Sequence, residues 1–192
     1  MRFFLYAKWV CREMGSDYME ITTIFIYKEF ASCNFLGGDT NGFEVIVKDF
    51  DELNLEYRRF NFDDRSTLQH KFYTISSKGI EKIKRAISDN KEVFNVNSNL
   101  DNGSLDGNGQ EFWFASGNKN RRTTTWNIEQ SIDDGHEVEK EYLEEYGDNL
   151  EQEMLILKVF FEICNILKEE GITLDLYHFN GNEKLEHKME QD

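Results

Sequence analysis

The chain has 192 residues, of which 37 are acidic and 22 are basic, so its formal net charge at pH 7 is −15. Hydrophobic residues make up 39% of it and aromatic residues 14%, which is enough apolar surface for a packed core and excludes global disorder. The net charge also argues against direct binding of nucleic acid, because it opposes the electrostatic attraction that dominates such affinity. At this length a folded chain buries roughly 70% of its unfolded surface, so no disulfide or metal is required.

The first 75 residues predict short strands joined by turns. Alternating apolar residues and runs of β-branched and aromatic residues are typical of strands, although helix is an alternative for the second half of residues 21–35. A glycine-rich loop is expected at residues 37–42. The close spacing of the strands favours an antiparallel meander over βαβ units. The strands predicted here are residues 2–12, 21–35, 43–48, 56–62 and 71–75.

The middle of the chain predicts one helix and one hairpin. A helix at Ser77–Asn90 follows from an apolar stripe with i, i+3, i+4 spacing. Residues 97–110 are rich in Asn, Asp, Ser and Gly and predict a loop. Strands at residues 111–116 and 122–128 are then expected to form a hairpin, with the turn at residues 117–120.

The last third predicts two helices and a strand. The first helix spans His136–Tyr146 and is interrupted at Gly147, and the second runs from Asn149 to Glu170. Asp148 and Glu151 match the capping pattern that opens a helix. The second helix is apolar almost all round, so we expect it at the centre of the core. A final strand is predicted at residues 173–179.

These elements together predict an α+β fold. A mostly antiparallel sheet is packed by a long buried C-terminal helix and a shorter mid-chain helix. We expect one domain over residues 1–179, with a possible internal boundary in the loop 97–110 and a frayed tail at residues 180–192.

The three cysteines are odd in number and form no CxxC pair, which favours free buried thiols in a reducing compartment over a disulfide framework. They are Cys11, Cys33 and Cys164. The longest apolar stretch, residues 154–167, is too short to cross a bilayer and contains charged residues. We therefore expect a cytoplasmic protein that does not bind membranes.

Motifs for catalysis, cofactors and metals are incomplete. The loop 37–42 has two glycines at phosphate-loop spacing, but Phe43 and Glu44 stand where Lys and Ser or Thr are needed. His136 and Glu137 begin a zinc-protease motif that Lys140 breaks. A calcium loop beginning at Asn102 would need a glutamate at its twelfth position, where Trp113 stands. The sequence thus nominates no catalytic residue, no cofactor and no metal site.

The acidic window, residues 129–153, is the most distinctive feature of the chain. It holds eleven carboxylates and a single cation, Lys140, and so carries ten of the fifteen net negative charges. Solubility does not require such a concentration. One interpretation is a surface presented to a positive partner, and the alternative is a plain solvated helix face. The basic stretches near residues 58–59, 78–91 and 119–122 would, in the simplest account, pair internally with the acidic window.

The acidic charge and the incomplete catalytic, cofactor and metal-binding motifs together predict a non-catalytic inhibitor or immunity-type protein. It would neutralise a basic target, such as a nuclease toxin or a nucleic-acid-handling defence enzyme, by covering the target's positive cleft. The alternatives are a DNA-mimic anti-defence protein, an enzyme without a legible motif, and a subunit of a larger assembly. The partner-binding residues predicted are Glu137, Glu141, Tyr142, Glu144, Glu145, Tyr146 and Asp148.

Overall fold

The computed structural model describes residues 22–30, 41–61, 64–100, 109–126 and 140–174. These form seven strands, two α-helices and one short 3-10 helix. The strands are β1 (Thr22–Phe30), β2 (Asn41–Asp49), β3 (Leu55–Asn61), β4 (Thr67–Tyr73), β5 (Asn99–Leu100), β6 (Gly109–Ser116) and β7 (Lys119–Trp126). The helices are α1 (Ser77–Asp89), the 3-10 helix (Lys91–Phe94) and α2 (Lys140–Glu169).

All seven strands belong to one sheet, in the order β4-β3-β2-β1-β6-β7-β5. Strands β1 to β4 form an antiparallel meander, and the β6–β7 hairpin joins the other side of β1. Among the strand pairs of the described residues, only that of β5 with β7 is parallel. The predicted α+β class with a mostly antiparallel sheet and two helices is therefore confirmed.

One face of the sheet packs against both helices. The pleat sends alternate residues of β1, β2, β3 and β6 to this side. Cross-strand register lines up Tyr27 with Val45 and with Phe112, and Val45 with Tyr57. These side chains are almost completely buried, as are Ile83 and Ile87 of α1. The core is thus a single layer between the sheet and the two helices.

Phe160 of α2 is the aromatic centre of this core. Its ring centroid lies 4.6 Å from that of Tyr27, 5.5 Å from that of Phe112 in an edge arrangement and 6.2 Å from that of Phe25. The side chain is 1% exposed. Contacts of this kind contribute beyond the buried area itself, so Phe160 connects α2 to the two central strands.

Helix α1 begins with a cap shared between distant parts of the chain. The Ser76 hydroxyl accepts a hydrogen bond from the Gly79 amide, as an N-cap residue does. The same hydroxyl and the Ser76 amide donate to the two carboxylate oxygens of Glu170, at 2.8 and 2.9 Å. These hydrogen bonds hold the pKa of Glu170 below its usual value. The start of α1 is thereby tied to the end of α2.

Helix α2 corrects one prediction. It runs from Lys140 to Glu169 in one span, so the predicted interruption at Gly147 is wrong. A helical glycine costs about 1 kcal/mol relative to alanine, and the strong helix formers on either side outweigh that cost. Farther along, Ile156, Leu157, Val159, Phe160, Ile163, Ile166 and Leu167 are buried, and other apolar positions such as Phe161 are half-buried. Lys158, Glu162 and Asn165 form the exposed line that their spacing predicts.

The predicted strand positions are confirmed with shifted ends. β2, β3 and the β6–β7 hairpin overlap the predicted strands closely, and β4 begins four residues earlier than expected. Within the loop 97–110, the structure forms the unpredicted two-residue strand β5. Of the strand predicted at residues 173–179, Thr173 and Leu174 lie in neither helix nor strand, and residues 175–179 fall outside the described residues. Other predictions fall outside the described residues: the strand 2–12, residues 31–35, most of the loop 37–42, residues 101–108, the helix start at His136 and the tail 180–192.

Candidate functional site

The structure places part of the acidic window on the first turns of α2. Helical periodicity brings positions 141, 144, 145 and 148 to one side of the helix, because they follow i, i+3, i+4, i+7 spacing. Tyr142 and Tyr146 occupy the adjoining side by the same periodicity. Glu137 lies outside the described residues.

Two lysines of α1 form ion pairs with carboxylates outside the acidic window. On α1, Lys82 pairs with Glu169, and Lys84 pairs with both Asp49 and Glu81. The hydrogen bond from Lys84 to Asp49 is the main cause of a raised pKa for this lysine. The pairing of the basic stretches with the acidic window, which the sequence suggested, stays a prediction, because most side chains of the window lie outside the described ones.

A second cluster of charges crosses the sheet on the face away from the helices. We call it the ionic row: Arg58, Glu44, Lys28, Glu111 and Arg122 of strands β3, β2, β1, β6 and β7. Cross-strand register places Arg58, Glu44, Lys28 and Glu111 directly beside one another. Arg122 reaches Glu111 from a diagonal position, since Thr124 is the residue directly opposite.

The ionic row alternates in sign, and each of its two glutamates contacts two of its cations. Glu44 accepts from Lys28 at 3.1 Å and from Arg58 at 2.7 Å, and Glu111 lies 3.6 Å from Lys28 and also contacts Arg122. Both glutamates are buried, with side chains only 6% and 8% exposed. Each therefore contacts a cation on either side, which offsets the cost of burying its charge. This arrangement fastens five neighbouring strands together.

Sequence reasoning missed the ionic row. In β1, β2, β3 and β6 its residues occupy outward positions of strands whose inward positions are mostly apolar, a pattern that ordinarily indicates solvent exposure of the outward side chains. The signal that would have found it is the pairing register, which a single sequence does not supply.

Lys28→Met tests how much the ionic row stabilises the sheet. The variant leaves Glu44 with Arg58 and Glu111 with Arg122, but removes the cation that joins them. We expect a loss of about 2–3 kcal/mol in the free energy of unfolding, because the buried carboxylates of Glu44 and Glu111 then lack the Lys28 ammonium between them. Urea denaturation measures this value. Lys91→Met, at an exposed position in the 3-10 helix, is the control, and an equal effect of both changes would show that the ionic row contributes nothing particular.

A smaller charge cluster lies beside the ionic row at the β4 side of the sheet. Glu56 accepts from Lys48 at 3.1 Å and contacts the His70 ring nitrogen at 3.0 Å. Burial opposes ionisation of Glu56, but the hydrogen bonds and charges of Lys48 and His70 outweigh it and lower its pKa. Glu56 is thus held as an anion and is unsuited to donating a proton near neutral pH.

A groove of about 640 Å³ lies between α1 and α2. Its floor includes Ala86, Phe161 and Ile166, and its rims carry both signs of charge. The charged residues that line it are Lys82, Arg85, Lys158, Glu162, Lys168 and Glu169. Because its lining carries both positive and negative side chains, the electrostatic potential of the groove has no single sign. The lining therefore indicates no particular class of ligand.

Cys164 is a free thiol on α2, as predicted for it. Burial raises the pKa of this thiol from 9.0 to about 12, which makes it a poor nucleophile. Cys11 and Cys33 lie outside the described residues.

The raised pKa predicts that the Cys164 thiol reacts slowly with thiol reagents in the folded protein. At pH 8 its thiolate fraction should be about a thousandfold smaller than that of an ordinary thiol. In a Cys11→Ser, Cys33→Ser variant, we expect Cys164 not to react with Ellman reagent when the protein is folded. In urea it should react with one equivalent. Rapid labelling of the folded variant would contradict the burial of this thiol.

No group of three or more His, Cys, Asp or Glu side chains within the described residues is arranged to hold a metal ion. In the same part of the chain, no helix is both long enough and apolar enough to cross a membrane. A comparison with protein-family models gives no match for this chain, and a search of the curated proteins finds none with significant sequence similarity.

Proposed function

We propose that this chain is a non-catalytic acidic protein that binds and neutralises a basic protein target. The target is of the kind whose positive cleft handles nucleic acid, such as a nuclease toxin or a defence enzyme. One observation carries the proposal: the acidic window concentrates ten net negative charges, while Lys28, Arg58, Lys82 and Lys84 pair with carboxylates elsewhere. In this proposal the window presents its negative charge to an outside partner.

The two ends of α2 have different roles in this proposal. Its later turns, from Glu153 to Leu167, supply buried side chains to the core, so this part of the helix is fixed on the sheet. Its first turns carry Glu141, Glu144, Glu145 and Asp148. A charged segment that extends from a rigid element is held in position for binding, which reduces the entropy lost on association.

Charge and apolar contact contribute in different ways. The carboxylates steer the partner during approach and raise the association rate, an effect that weakens with added salt. Tyr142 and Tyr146 supply the apolar anchors at the centre of the contact, because tyrosine is enriched among residues that dominate binding energy. Glu137 adds to the steering charge.

Neutralising the window tests the proposal. The variant replaces Glu137, Glu141, Glu144 and Glu145 with Gln, and Asp148 with Asn. We expect it to lose capture of a basic protein from nuclease-treated host lysate at low salt. With the captured protein in hand, stopped-flow mixing should show an association rate lower by roughly tenfold or more and a much smaller change in dissociation rate.

A control variant removes the same amount of charge elsewhere. It neutralises five exposed acids of the β2–β3 turn, α1 and the 3-10 helix: Asp51, Glu52, Glu81, Asp89 and Glu92. Both variants have a net charge of −10, the original −15 less five acids. The proposal requires the control to bind like the original protein. Equal association rates for the two variants, or a rate insensitive to salt, would overturn it.

A further inference from the structure

The β2–β3 turn, residues 50–54, exposes two large apolar side chains to water. Leu53 is 59% exposed and Phe50 is 38% exposed. A single exposed hydrophobic residue on a protein surface is ordinary. Two of them in one turn of five residues form a patch that is costly to keep in water, and such patches mark contact surfaces.

The backbone at Leu53 is strained. Its φ is 49°, in the left-handed region that glycine and asparagine adopt more readily than leucine. A buried leucine would repay this strain by packing in the core, but most of this side chain is in water. Residues held in unfavourable backbone conformations are concentrated at sites that bind other molecules. A role in binding therefore explains why leucine occupies this position.

Hydrogen bonds to the segment before α1 hold the turn in place. The Asn54 side-chain amide donates to the carbonyl oxygens of Phe50 and Ile75, each at 2.9 Å. The Leu53 amide donates to the Thr74 hydroxyl at 3.2 Å. A turn that is already fixed loses little conformational entropy when a partner binds it. The two apolar side chains are therefore presented on a preformed support.

The charges around the turn indicate the chemistry of its partner. Residues 49–54 include three acids and no cation. Asp49 pairs with Lys84, whereas Asp51 and Glu52 are exposed and lie between the two apolar residues in the sequence. A complementary surface combines an apolar pocket with cationic side chains at its rim, because interfaces have apolar centres and matched charges around them.

We propose that the β2–β3 turn is a docking site for a partner protein that has an apolar pocket rimmed by Lys or Arg side chains. This contact is separate from the function proposed above. The turn is bonded through Asn54 to Ile75, and the next residue, Ser76, is bonded to Glu170 just after the end of α2. Asp148 lies about 30 Å from that end along the helix. The turn and the acidic window can therefore bind different partners.

Leu53→Gly tests whether this side chain serves the fold. Glycine adopts a positive φ without strain. We expect the melting temperature to change by less than about 3 °C, because relief of the strain offsets the loss of the partly buried side chain. A larger fall would show that leucine is retained for stability, and the proposal would then be overturned.

Photo-crosslinking of the full chain in host lysate tests the contact itself. Photoreactive benzoylphenylalanine is placed at position 53 or, separately, at position 50. Position 118, in the exposed β6–β7 turn, is the control. We expect one and the same protein to be crosslinked from positions 50 and 53, and little or none of it from position 118. Mass spectrometry should place the attachment point in an apolar segment with Lys or Arg beside it.

Two charge variants complete the test. Asp51→Asn with Glu52→Gln should lower the crosslinking yield at position 53 roughly fivefold or more. Asp89→Asn with Glu92→Gln removes the same charge at exposed positions elsewhere and should not lower it. Equal yields from these two variants, or equal yields at positions 53 and 118, would overturn the proposal. So would attachment to a segment without nearby cations, or to a second copy of this chain.

Discussion

Phe160→Ala is expected to lower the free energy of unfolding by about 3–5 kcal/mol, the range for removal of a large aromatic side chain from a core. The side chain is 1% exposed and its ring contacts those of Tyr27, Phe112 and Phe25. Its removal leaves a cavity bounded by strands on one side and α2 on the other. For a chain of this size the melting temperature should fall by about 10 °C or more. Thermal and urea denaturation followed by circular dichroism measure both values.

The neighbouring Phe161→Ala provides the matched comparison. Phe161 is only half-buried and lies along the groove between α1 and α2. The same truncation should therefore cost about 1–2 kcal/mol, since part of the lost apolar area was already in water. If the two variants lost equal stability, Phe160 would not be the centre of the core.

Asn54→Ala is expected to cost about 3 kcal/mol, an unusually large effect for a polar residue in a turn. Asn54 is 1% exposed. Its amide donates to the carbonyl oxygens of Phe50 and Ile75, each at 2.9 Å, and its side-chain oxygen accepts from the Ile75 amide at 2.7 Å. These bonds fasten the β2–β3 turn to the segment before α1. Without them, buried backbone groups of Ile75 lose their partners.

Two further variants distinguish the stability cost of losing the Asn54 hydrogen bonds from the cost of removing any asparagine side chain. Asn54→Asp keeps the acceptor for Ile75 but loses both donors and places a charge in a buried position, so it should be no more stable than Asn54→Ala. Asn118→Ala removes an exposed asparagine from the β6–β7 turn and should change stability by less than about 0.5 kcal/mol. Urea denaturation in which Asn54→Ala matched Asn118→Ala would show that the turn is not held in this way.

Periodicity in the sequence was enough to place most of the described elements. The helix at Ser77–Asp89 and the β6–β7 hairpin have local signals: an N-cap serine with a 3.6-residue stripe, and a glycine-containing turn between alternating strands. The α+β class follows from the sum of such signals. These interactions all connect residues close in sequence, which is why a single sequence reveals them.

Pairing between distant strands was beyond the reach of the sequence. The two-residue strand β5 exists because Asn99 and Leu100 lie beside Thr124 and Thr125, and nothing within residues 97–110 indicates that contact. Gly42 was assigned to a loop, yet it belongs to β2 and lies under the ring of Phe60. A Cβ atom at Gly42 would come within 2.4 Å of Phe60 Cζ, so the glycine is needed for close packing within the sheet.

The acidic window could be found in the sequence because charge is a matter of composition. The sequence could not show which carboxylates the cations of the sheet pair with. Lys28, Arg58 and Arg122 pair with Glu44 and Glu111 only because five strands align in one register. These cations are thus engaged by carboxylates of the sheet, which supports the proposed binding function.

The position of β1 in the sheet has a consequence for synthesis of the protein on the ribosome. One neighbour of β1 is β2, which follows it closely, and the other is β6, which begins at Gly109. Roughly 80 residues must be translated between the end of β1 and the start of β6, about 4–16 s at the usual rates of elongation. During that interval the nascent meander exposes the edge of its future central strand. Chaperone binding to nascent chains should therefore be strongest before the β6–β7 hairpin emerges.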